Sequence, residues 1–86
     1  MPEISRFFGI IIAMYYNEHN PPHFHAKYQD DEAQFNIHTL EIIKGKLPAR
    51  AKSMVLEWAF EHREELLKNW ELSGNLKTLH KIDPLN

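Results

Sequence analysis

Three hydrophobic patterns succeed one another along the chain. Residues 6–16, Arg-Phe-Phe-Gly-Ile-Ile-Ile-Ala-Met-Tyr-Tyr, are almost wholly apolar and rich in aromatic and β-branched side chains, which predicts a strand. Phe8, Ile10, Ile12, Met14 and Tyr16 alternate with Phe7, Gly9, Ile11, Ala13 and Tyr15. Both faces are apolar, so the strand is expected to be covered on both sides. Residues 17–22 read as a loop. In residues 23–29, Phe24, Ala26 and Tyr28 alternate with His23, His25 and Lys27; in residues 32–38, Ala33, Phe35 and Ile37 alternate with Gln34, Asn36 and His38. One apolar and one polar face on each segment is the pattern of a half-solvated antiparallel hairpin. A two-residue turn at Asp30-Asp31 sets Ala26 opposite Phe35, His25 opposite Asn36 and His23 opposite His38. A short strand over residues 40–44 is expected to end at Gly45.

The pattern then changes period. From residue 48 to residue 72, Ala51, Met54, Val55, Trp58, Ala59, His62, Leu66 and Trp70 fall on one face at about 100° per residue. Arg50, Ser53, Glu57, Glu61, Glu64 and Lys68 form the opposite, solvated face. Pro48 suits a helix start and Gly74 a helix end, with neither residue type between them. This predicts one long helix over residues 48–72. Leu56, Phe60 and Leu67 add a flanking apolar stripe wider than a small sheet requires. The tail, residues 75–86, carries Leu76, Leu79, Ile82 and Leu85 and is expected to pack back on that stripe. The predicted fold is α+β, an antiparallel sheet of three to four strands packed against one long C-terminal helix, in a single domain over residues 1–86. Ala51, Met54, Val55, Trp58 and His62 are to meet the sheet, and Phe8, Ile10, Ile12, Phe24, Phe35 and Ile37 are to complete the core.

Composition narrows the function classes. The 86 residues contain no cysteine, which excludes disulfides and thiolate metal sites. The formal net charge of −2 disfavours a sequence-independent nucleic-acid binder, which needs a basic stripe. The apolar run before Asn17 has no small-residue cleavage site after it and is far shorter than the roughly 20 residues that cross a bilayer. A cytoplasmic location without membrane association is expected.

The candidate chemistry lies in His19-Asn20-Pro21-Pro22-His23-Phe24-His25, three imidazoles around a proline pair. His23 and His25, two apart on a strand, project to one side, and the predicted register adds His38. These three, with His19 or Glu18 from the loop, form a candidate divalent-metal set. No His-Glu-x-x-His motif accompanies them; a polar sheet face whose histidines bond to backbone, Asn36 or Gln34 explains the same residues. Under an alternative catalytic reading, His23 and His25 act as general base and acid on a phosphodiester. Lys27 or Arg6 would then stabilise charge, and Tyr15, Tyr16, Phe24 and Tyr28 would stack on bases. Beyond that metal, no cofactor is called for.

Ile4-Ser5-Arg6-Phe7-Phe8-Gly9-Ile10, Met14-Tyr15 and Pro21-Pro22-His23-Phe24-His25-Ala26 form a specific combination. With Gly45-Lys46-Leu47-Pro48, Trp58, His62, Glu65-Leu66 and Asn69-Trp70, the chain resembles the small bacterial family catalogued as domain of unknown function number 4160. The resemblance covers nearly the whole chain. It implies a short α+β domain and a place in two-gene, toxin–antitoxin-like modules beside another small protein. Ala13 and Asp30-Asp31 depart from the family pattern, in which the first position is often polar or basic and the turn richer in glycine.

The surplus apolar surface, with no complete catalytic motif, leads to the expectation of a small interaction protein. Its partner is a small protein or a second copy, docked on Leu56, Phe60, Leu67 and Trp70. The alternative is a histidine-dependent, metal-assisted nuclease or phosphodiesterase.

Overall fold

A computed structural model describes residues 2–86. Five strands and two helices follow in chain order: β1 (Glu3–Phe7), β2 (Ile10–Ala13), β3 (His23–Tyr28), β4 (Asp31–Asn36), β5 (Ile42–Gly45), α1 (Ala49–Glu61) and α2 (Arg63–Gly74). The strands form one antiparallel meander in the order β1-β2-β3-β4-β5. The α+β class holds, with five strands in place of three to four and two helices in place of one.

The apolar run that reads as a single strand is folded in two. Phe8 and Gly9 both have positive φ, 49° and 80°, as a two-residue type I′ hairpin turn requires. Phe7 thereby pairs with Ile10 and both are buried. Phe8, expected in the core, stands at the turn and is 60% exposed. Apolarity hid the turn, because the residue before the glycine is an aromatic where asparagine or aspartate normally signals it.

The second hairpin turns one residue earlier than expected, at Gln29-Asp30, with Gln29 at φ 54° and Tyr28 opposite Asp31. Moving the turn by one residue moves every partner by two. His23 therefore faces Asn36, His25 faces Gln34, and Ala26 faces Ala33. An even shift leaves each residue on its expected face. The apolar face carries Phe24 and Phe35 directly opposite each other, rings parallel with centroids 5.3 Å apart.

On that face lies α1. Ala51, Val55, Trp58 and Ala59 are buried, with Met54 half-buried. The Trp58 indole lies 5.4 Å from the Phe7 ring and 5.9 Å from that of Phe24. The predicted long helix breaks at His62 (φ −116°, ψ 23°). At the break the His62 Nδ1–H donates to Glu65, 2.6 Å away, and Glu64 and Glu65 occupy the first turn of α2, where carboxylates favour the positive helix end.

The tail packs back on the β1 edge, Trp58 and Asn69. Ile82 is buried and its N–H donates to the Ile4 carbonyl on the outer edge of β1. Trp58 Nε1–H donates to the Asp83 carbonyl, and buried Asn69 exchanges two hydrogen bonds with the His80 backbone. Leu56 and Leu67 are half-buried against the core, so the surplus stripe is largely consumed within the chain. Phe60 stays 69% exposed. No helix among the described residues is long and apolar enough to cross a membrane.

Candidate metal centre

β3 carries His23 and His25 on the face opposite Phe24, and residues 14–22 fold back over them. The two imidazoles are nearly buried, at 7% and 8% side-chain exposure, and Glu18 from that loop is 28% exposed. One carboxylate oxygen, Glu18 Oε1, lies 2.9 Å from His25 Nε2 and 3.2 Å from His23 Nε2.

The outer nitrogen of each ring is held from behind. Pro21 O can only accept, so His23 Nδ1 carries the proton that bonds to it at 2.8 Å. His25 Nδ1 lies 3.0 Å from Glu32 Oε2, and a carboxylate likewise takes the proton. Glu32 reaches His25 as a diagonal cross-strand neighbour: Gln34 is directly opposite, and Glu32 stands two residues along the same face.

With both Nδ1 atoms engaged, both Nε2 atoms lie beside one Glu18 oxygen, and that of His25 is at hydrogen-bonding distance from it. The buried His23 Nε2 makes no hydrogen bond; its 3.2 Å approach to Glu18 lies off the hydrogen-bonding direction. Lone pairs facing a carboxylate repel it unless a proton or a cation stands between. One donor atom from each of Glu18, His23 and His25 lies within 4.8 Å of the others, so the group can hold a metal ion. The 2.9 and 3.2 Å separations are close to the roughly 3.3 Å expected between donors about 2.0–2.1 Å from a tetrahedral zinc ion. Metal-ligating histidines typically donate the other ring N–H to a carboxylate or carbonyl, and both rings here do so.

Tyr15 packs edge-on against His25, centroids 4.5 Å apart, and Trp70 on α2 lies 5.1 Å from the His23 ring. Burial, followed by the charges of Glu32 and Glu18, holds the Tyr15 phenol above its ordinary pKa.

The expected set is corrected in two members, His38 and His19. His38 lies beyond the end of β4 in an exposed turn, where its backbone N–H donates to Asn36 Oδ1; the shifted register places Asn36, not His38, opposite His23. His19 is exposed and outside the group. Glu18, named beside His19 as a loop ligand, is the residue brought in. Of the two cations considered, Arg6 is held by Glu3 at 2.8 Å, whereas Lys27 is exposed on the face of His25. Phe24, one of the candidate base-stackers, is fully buried. Sequence spacing gives no reason to name Glu32, because only the true register brings it to His25. Trp70, expected to contact a partner, is half-buried beside His23.

The family model described as Domain of unknown function (DUF4160) matches residues 9–71, a span that contains Glu18, His23, His25 and Glu32. No curated protein and no solved structure matches the chain.

Proposed function

The chain belongs to the DUF4160 family, and from that premise we propose that it is a divalent-metal-dependent hydrolase of phosphodiester bonds working in the bacterial cytoplasm. The observation that carries this reading is the convergence of two buried Nε2 atoms on Glu18 Oε1, with both Nδ1–H groups already engaged. Three protein donors are the usual count of catalytic zinc sites, whereas structural sites use four. Imidazole and carboxylate together suit zinc and other first-row ions. A divalent ion bound there supplies Lewis-acid polarisation of a phosphoryl oxygen and activation of water at neutral pH.

The chain's own residues would do the rest. Glu18, His23 and His25 would hold the ion, the Pro21 carbonyl would fix the His23 ring, and exposed Lys27 would offer positive charge to an approaching phosphate. Calorimetric titration of metal-stripped protein with Zn²⁺ is expected to show binding near micromolar that disappears in a His23→Ala/His25→Ala variant. Single-stranded RNA is expected to be cleaved by the loaded protein, with cleavage lost on chelation and in His25→Ala. A titration without heat, or one unchanged by the double substitution, ends the metal reading. Metal binding without cleavage leaves a metal protein and removes the nuclease assignment.

A second reading, of a small interaction protein within a toxin–antitoxin-like pair, has one supporting observation. Phe60 is 69% exposed on α1, with the Arg63 guanidinium 5.5 Å from its ring centre. Exposed aromatics flanked by arginine are enriched at protein interfaces. If Phe60 docks a second copy, light scattering at micromolar concentration shows a dimer that becomes a monomer in Phe60→Asp. A monomeric wild type rules out self-association through this residue.

A further inference from the structure

The two histidines of the centre are oriented by unlike groups. His23 Nδ1–H donates to a neutral backbone carbonyl, that of Pro21, whereas His25 Nδ1 meets the carboxylate of Glu32. A backbone carbonyl fixes the ring plane and little else. A carboxylate also stabilises positive charge on the imidazole, which makes the opposite nitrogen a stronger donor to a metal.

The position of Glu32 is itself built into the backbone. Gly45 in β5, at φ 82°, brings its chain so close to Glu32 that a Cβ there would stand 2.1 Å from the Glu32 carbonyl oxygen. The Glu32 carbonyl also accepts the Lys46 N–H at 3.1 Å. β5 thus holds the Glu32 backbone from one side, while pairing with Lys27 holds it from the other. Its side chain is 46% exposed and contributes little to the core, so its alignment with His25 is not a by-product of packing.

We propose that Glu32 is a positioning residue of the metal centre: it locks the His25 tautomer with Nε2 facing Glu18 and raises the donor strength of that nitrogen. This rests on the metal reading above. His25 is accordingly the stronger of the two imidazole ligands and His23 the weaker, and Glu32 acts through His25 alone.

The test uses Co²⁺, whose visible absorption reports ligand geometry, with affinity measured by competition against a chelator. Glu32→Ala is expected to weaken Co²⁺ binding 10- to 100-fold, the usual effect of removing such a partner, and to alter the absorption band. Glu32→Gln, which keeps an accepting oxygen without the charge, should recover part of the affinity and restore the wild-type band. In a His25→Ala background the Glu32→Ala change should have no further effect. The midpoint of urea unfolding of the metal-free proteins should stay near wild type, which separates this role from a structural one. Wild-type affinity in Glu32→Ala, or a Glu32→Ala loss undiminished without His25, overturns the positioning role and leaves the metal centre standing. A wild-type protein that binds no Co²⁺ overturns both.

Discussion

Gly9 and Gly45 both adopt positive φ, 80° and 82°, but their surroundings differ enough to separate two costs. A Cβ on Gly9 would meet only the Tyr28 ring at 3.5 Å, an ordinary contact. Gly9→Ala should therefore cost only the backbone term, about 1–2 kcal/mol. A Cβ on Gly45 would strike the Glu32 carbonyl at 2.1 Å, so β5 must leave the sheet or distort it. Gly45→Ala should cost more than about 3 kcal/mol, a loss that few mechanisms reach. Urea unfolding of the two variants side by side checks this, and equal midpoints would contradict the close approach. At this scale the site was legible where the chemistry is local. His23 and His25 share a strand face by spacing alone, and Glu18 lies on the adjoining loop. Glu32 and the loss of His38 depend on which residue of β4 stands opposite which of β3. That register hinges on a turn placed at Gln29-Asp30, not Asp30-Asp31, where no glycine or asparagine announces it.

Each helix reports on a different part of the packing. Trp58 on α1 joins the sheet and the tail: its ring packs on Phe7 and Phe24, and its Nε1–H donates to Asp83. Trp58→Ala should cost about 3–5 kcal/mol and largely unfold a domain this small; near-native thermal melting of that variant would mean that the core lies elsewhere. Asn69 on α2 has a narrower role, being buried with its amide wholly engaged by His80. Asn69→Ala should cost about 1–3 kcal/mol through the lost and unmade bonds. Limited proteolysis should then cut first within residues 76–86, while wild type resists. A tail no more cleavable in the variant than in wild type would show that Ile82 anchors it unaided. Helix existence was legible from the 3.6-residue period. The break at His62 was not, because a straight helix satisfies the same pattern. The acidic pair Glu64-Glu65 was the available signal. The β1–β2 hairpin escaped for the converse reason, an apolar turn that imitates a continuous strand.

For the whole molecule, the metal centre predicts a stability that depends on solution composition. The ligands come from β3 and from the 14–22 loop, and Trp70 of α2 lies against His23. An ion held there ties loop to sheet beneath the second helix, and unfolding must release it. A ligand that binds only the folded state stabilises by about 2.7 kcal/mol at a free concentration of 100 times Kd. In a domain of this length each kcal/mol shifts Tm by roughly 4–8 °C, so saturating Zn²⁺ should raise Tm by about 10–20 °C. Glu18→Gln, His23→Ala and His25→Ala should each remove most of that rise. Phe60→Asp, remote from the donors in sequence and on an exposed face, should keep it. The ion can bind only histidine nitrogens that carry no proton, so acid weakens binding. The Zn²⁺-induced rise in Tm should accordingly be smaller in acid than at neutral pH. A rise in Tm that is equal in acid and at neutral pH, or that persists in His25→Ala, would place the ion on surface carboxylates and not between the two imidazoles.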